Sequence, residues 1–267
     1  MADGYNINAN GIRHHLVHTG GPGETLLLIP GITSPAVTWN FVADRLADRF
    51  DVHVLDVRGR GLSQAGDLDY SLDAMAADVV AIASEHLGTP LLLGHSMGAR
   101  TAIRAAKMAP KQFSGLILVD PPVSGPGRRP YPSAWNWYED SIRMAAKGCS
   151  ADDMRQFCPT WTDEQLKLRA EWLHTCQLDA IKAAYDGFHS DDIHQDIPSL
   201  SCPARLVVAG SAPVIEQQDI DEITTLNPAI EVRTVEGAGH MIPWDNLEGF
   251  LSAVMDFGLH ANMKKVV

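Results

Sequence analysis

The 267-residue chain contains no apolar run approaching the ~20 residues needed to span a bilayer. Its opening stretch, MADGYNINANGIRHH, lacks the apolar core of a secretory signal, so a soluble cytoplasmic protein is expected. Positive charge is also in short supply. Lys and Arg total 21 against 33 Asp and Glu, a formal charge of −12. That balance argues against a nucleic-acid backbone or an anionic membrane as partner. An anionic small molecule would need a local basic patch to overcome it. Cysteine is scarce: Cys149, Cys158, Cys176 and Cys202 form no C-x-x-C pair. Buried thiols in a reducing compartment are the expectation. Internal repeats and low-complexity tracts are absent as well, and 45% hydrophobic with 20% charged residues is an ordinary globular balance.

What is present is alternation. YNINANGIRHHLVHTGG reads as two antiparallel strands turning at Asn10-Gly11. TLLLIPG, DVHVLDVRG, PLLLGHSMG, FSGLILVD, ARLVVAGS and IEVRTVEGAG read as strands, most of them continuous apolar runs covered on both faces. Helical spacing fills the gaps between them, with Ser71 placed to start one helix and Gly88 to end it. The pattern stops between Pro121 and Pro198, a stretch holding Trp135, Trp137, Trp161 and Trp172 but no convincing strand. We therefore expect an α/β core over residues 1–120 and 199–267, with a mainly parallel sheet, and an inserted helical cap over 121–198. In such sheets ligands sit at the carboxyl ends of the strands.

GHSMG, Gly94 to Gly98, lies where a strand turns into a helix, as a nucleophile elbow requires. Such a turn would raise the Ser96 hydroxyl above the sheet, with the Met97 N–H facing the same space. On these residues the chain resembles the α/β-hydrolase superfamily. The resemblance spans nearly the whole chain and implies an eight-stranded sheet flanked by helices. LLLIPG matches the segment before the family's oxyanion loop, with Pro30 replacing the common histidine. The resemblance makes the Ile32 N–H the second oxyanion donor. DVRGRGLS matches a structural turn, and Arg58 takes no catalytic role. His240, in a glycine-flanked loop after the last strand, matches the family's general base. His95 is read as a packed neighbour, and His14, His15 and His18 as hairpin residues away from the site.

The family's usual triad acid is missing: three residues after Gly210 stands Pro213, and no acid appears before Glu216. Some members take the acid from the preceding strand, and Asp120 stands at that tip. The alternatives are that Asp120 merely caps the Asp-Pro-Pro turn, or that Glu216, Asp219 or Asp221 serves instead. In the insertion, Arg128 and Arg129 are candidates to bind a substrate carboxylate, with Trp135 among the aromatics walling the pocket. Packing alone is the alternative there. HSDDIHQD has metal-ligand residue types, but it resembles a polar connector; no metal and no cofactor are expected. GHSMGAR, LVDPPVSGPGRRPYPSAW and the shifted acid together are similar to the N-formylmaleamate deformylases of bacterial nicotinate catabolism. The resemblance implies a small anionic substrate. A carboxylesterase or enol-lactonase, and a non-catalytic ligand receptor, are the other readings.

Overall fold

The computed structural model describes residues 3–211 and 214–258. Eight strands form one sheet in the order β1-β2-β4-β3-β5-β6-β7-β8. β1 (Asp3–Ala9) and β2 (Ile12–Gly20) pair antiparallel, and β2 pairs antiparallel with β4. The turn between them puts Asn10 at φ 48° and Gly11 at φ 76°, the left-handed pair that Asn-Gly accepts. β3 (Thr25–Ile29), β4 (Asp51–Leu55), β5 (Leu91–His95), β6 (Gly115–Val119), β7 (Ala204–Ala209) and β8 (Glu231–Val235) run parallel.

The apolar runs are continuous because both faces are covered. Leu27, Ile29, Leu92, Leu116 and Leu118 join one core with α2 (Leu72–Ile82) and α3 (Met97–Met108). Their neighbours Leu26, Leu28, Leu91, Leu93 and Ile117 join the other, with α1 (Asn40–Leu46). This is the two-residue period of a strand read onto two faces. Ser71 caps α2, accepting the Ala74 N–H, and Gly88, at φ 73°, ends the π-helical turn Ala83–Leu87 that continues it.

Between β6 and β7 the described residues hold helices and no strand: α4 (Trp135–Ala146), α5 (Ala151–Arg155), α6 (Asp163–Trp172) and α7 (Leu178–Ser190). Their apolar faces belong to the same core as one side of the sheet, through Tyr138, Leu166, Ile181 and Phe188. Arg100 of α3 stitches the two ends of this segment together. It donates to the carbonyls of Pro122 and Ser124 at one end and of Gly187 and Asp191 at the other. The chain closes through α8 (Gln217–Leu226), α9 (Ile242–Asp245) and α10 (Leu247–Val254).

Candidate active site

β5 ends at His95, and α3 begins at Met97, leaving Ser96 alone to make the turn. Its φ of 54° and ψ of −117° are strained for a residue with a side chain. Two contacts force that geometry. A methyl group on Gly94 would collide with the Gly98 carbonyl, and one on Gly98 would collide with the Ile29 carbonyl. Helix and sheet therefore approach as closely as glycine permits. The Ser96 N–H bonds the Val119 carbonyl at 2.8 Å, tying the elbow to β6.

Asp120 follows β6 directly, is wholly buried, and also has positive φ, 46°. Its N–H donates to Val207 at 2.8 Å, and its Oδ1 accepts the Ala209 N–H at 3.3 Å. The other oxygen, Oδ2, lies 2.6 Å from His240 Nδ1. His240 Nε2 is 3.0 Å from Ser96 Oγ. The three residues come from the tips of β5 and β6 and the loop after β8, and they form one continuous hydrogen-bonded chain. In such a chain the carboxylate fixes the imidazole tautomer, and the imidazole accepts the hydroxyl proton.

The other acids considered are engaged elsewhere. Glu216 caps α8, Asp219 accepts the Glu216 N–H, and Asp221 pairs with Gln217. Pro213 lies outside the described residues. Asp120 does not use its carboxylate for its own turn; both oxygens face β7 and His240.

His95 packs beneath His240. Its Nε2 meets the His240 carbonyl at 2.9 Å, so it must carry the proton there. Burial, reinforced by the neighbouring His240, pushes its pKa down to about 3. At neutral pH its ring is therefore uncharged. His14, His15 and His18 lie in β2, apart from this site.

Ile32, with Gly31, Thr33 and Ser34, lines a cavity of about 320 Å³ that opens onto Ser96 and His240. Met97 opens α3, where a first-turn N–H has no intrahelical acceptor. Met97 lines a second cavity, together with Met75 and Arg100. Sequence reasoning missed the residue that links the two loops, Arg60. Buried Arg60 donates to the Ile32 carbonyl at 3.1 Å and approaches Met97 Sδ at 3.5 Å. Burial lowers its pKa to about 10, so it remains a cation. Arg58 binds Asp78 through two nitrogens, a structural use.

The insertion supplies the opposite wall: Tyr131, Trp137, Tyr138, Phe157, Trp161 and Arg169. Tyr138 donates to the Tyr131 hydroxyl at 3.2 Å, and burial raises both phenols above their ordinary pKa. The structure places the expected substrate-binding set, Arg128, Arg129 and Trp135, off this cavity. Arg128 forms a bidentate pair with Glu222, both contacts 2.8 Å, and reaches Asp192. Arg129 binds Asp219 at 2.6 Å. Both face the acidic α8 rather than Ser96, because a chain with excess acid offers carboxylates of its own. Trp135 also misses the cavity, donating to Glu139 at 2.8 Å. Residues two apart on a helix lie about 200° apart, and Trp137 takes the inward direction instead.

In the connector, Asp192 accepts from the His194 N–H and pairs with Arg128. Among the described residues one group could hold a metal ion, His18, Asp51 and His53. Asp51 begins a parallel strand, so this group sits at the end of the sheet opposite Ser96. His18 meets Asp51 at 2.6 Å, and His53 Nδ1 meets the Tyr5 hydroxyl at 2.7 Å.

The model of the alpha/beta hydrolase family matches residues 26–253. N-formylmaleamate deformylase of Pseudomonas putida is 60% identical over 95% of this chain and 96% of its own. 2-(Acetamidomethylene)succinate hydrolase of Mesorhizobium japonicum is 33% identical, covering 90% of each. A crystal structure of an N-formylmaleamic acid deformylase from Pseudomonas putida S16, a serine-to-alanine variant, superposes with a TM-score of 0.93. It is 65% identical and covers 95% of this chain and 100% of that one.

Proposed function

Because the chain belongs to the alpha/beta hydrolase family, we propose that it is a serine hydrolase that deformylates N-formylmaleamate in nicotinate degradation. The observation that carries this reading is the 60% identity to a deformylase over 95% of the chain. The Ser96–His240–Asp120 hydrogen bonds support the chemistry.

Ser96 Oγ attacks the formyl carbon while His240 Nε2 takes the hydroxyl proton. Asp120 orients the ring through Nδ1 and faces the imidazolium that forms. The N–H groups of Ile32 and Met97 receive the oxyanion, each such donor being worth about 3–4 kcal/mol. The C–N bond breaks, and His240 returns the proton to the departing nitrogen, releasing maleamate. That nitrogen leaves readily because a second carbonyl withdraws its electrons. Water, giving its proton to His240, then cleaves the formyl-serine to formate. The route uses side chains, backbone and water, and no cofactor enters it.

The same proposal makes residues 121–198 a cap over a core of 1–120 and 199–267. The insertion's aromatic side chains on the cavity wall support it. It also takes the substrate to be a small anion and the enzyme cytoplasmic. Four unpaired cysteines suit a reducing compartment, and no described helix is long and apolar enough to cross a membrane.

The test is formate release from N-formylmaleamate by the purified protein, beside cleavage of a short acyl ester. We expect efficient deformylation, reduced roughly 10⁶-fold in Ser96→Ala. Rapid ester cleavage without formate release would make the protein a carboxylesterase. Inertness toward both, and toward a serine-directed phosphonate, would make it a binding protein.

A further inference from the structure

Helix α6 turns Leu166, Arg169 and Ala170 toward the interior, and Arg169 is only 5% exposed. A buried guanidinium ordinarily finds acceptors, and the other buried arginines do. Arg58 has Asp78, Arg205 has Glu231, and Arg60 and Arg100 have backbone carbonyls. Arg169 differs. Its Nε and Nη2 are buried without a hydrogen-bond partner. Among the described residues, no carboxylate lies within ion-pair distance of it. Trp137 and Trp161 flank it instead, their ring centroids 5.2 Å and 5.6 Å from its central carbon. Ring faces attract the cation but satisfy none of its N–H groups.

All three residues line the cavity that contains Ser96 and His240. The acid on that lining, Asp245, is turned to the Gly239 N–H at 2.9 Å. A buried charge without a counter-charge is strongly destabilising. A cavity that holds one therefore favours an anionic ligand, and a guanidinium favours a planar two-oxygen anion.

We propose that Arg169 is the carboxylate-binding residue of the substrate pocket. It would hold the carboxylate end of N-formylmaleamate while the formyl carbon rests at Ser96. The assignment deepens the deformylase reading and rests on it for the substrate's identity. The subsite itself can be tested without that reading.

The experiment compares wild type, Arg169→Met and Arg169→Lys. The first readout is the ratio of kcat/KM for N-formylmaleamate to that for p-nitrophenyl acetate, which has no carboxylate. The second is inhibition of ester cleavage by maleamate. We expect the ratio to fall at least about 10²-fold in Arg169→Met, with maleamate inhibition lost. Arg169→Lys should retain part of both, mainly through a raised KM, because it keeps the charge and loses the fork. Arg169→Met should melt no lower than wild type, since an apolar side chain replaces an unpaired charge. An unchanged ratio would overturn the proposal, as would equal inhibition of all three proteins or no inhibition of wild type. A parallel loss of both activities with a lowered Tm would also overturn it, leaving Arg169 structural. If wild type releases no formate yet maleamate inhibits it through Arg169, the deformylase reading fails and the carboxylate subsite stands.

Discussion

The strand tips and the helical insertion face each other across one cavity, and they treat charge in opposite ways. At the tips, Ser96, His240 and Asp120 satisfy one another, and Asp120 is further held by β7. In the insertion, Arg169 is buried on the cavity wall with its Nε and Nη2 unmatched. About forty residues earlier in the same segment, Arg128 and Arg129 are matched by acids of α8. Under the proposed function, the contrast separates chemistry from recognition. Groups that move protons must be preorganised among themselves. A group that recognises a ligand must keep its bonding capacity for that ligand.

Substitutions on either side of the cavity should separate the two kinds of group. Asp120→Asn should have the largest effect after loss of the nucleophile, roughly 10⁴ in kcat. Steady-state deformylation measures it, and activity within tenfold of wild type would remove Asp120 from the triad. The Arg169 variants should alter selectivity between substrates, as described above. A smaller effect is expected for His95→Gln, and it concerns stability. In the wild type, unfolded His95 takes a proton below its ordinary pKa of 6.5, while the folded side chain refuses one until about pH 3. The unfolded state therefore binds more protons in that window, and stability falls as pH drops from 6.5 toward 3. Gln does not titrate and retains a donor for the His240 carbonyl. Its Tm should decline less steeply over the same range, and parallel Tm–pH curves would contradict this. The smallest effects should come from Arg128→Ala and Glu216→Ala. Each should leave kcat/KM within about threefold. The partly exposed Arg128 pair should contribute ~1 kcal/mol or less to stability, checked by urea denaturation. A large KM increase in Arg128→Ala would return that residue to the substrate site.

Local chemistry explains which of these features were legible beforehand. The elbow could be read because the strand-to-helix turn admits only glycine at positions 94 and 98, whatever else the fold does. His240 was legible from its glycine-flanked loop, and Asp120 from the empty position after β7. Trp135 and Trp137 were not separable by type; helical phase separates them, and it depends on where α4 starts. Arg169 carried a signal that went unread: it lies in phase with Leu166, Ala170 and Leu173, inside an apolar stripe.

The doubly covered parallel sheet, the strand-to-helix elbow at Ser96 and the loop that carries His240 are written in local sequence. Those depend on periodicity and on backbone conformations that a few residues control. Tertiary contacts set which arginine lines the cavity beside Ser96. A guanidinium's role depends on which carboxylates its neighbours bring within reach. For Arg128 and Arg129 those acids come from α8, roughly ninety residues further along the chain. For Arg169, no described acid comes within reach.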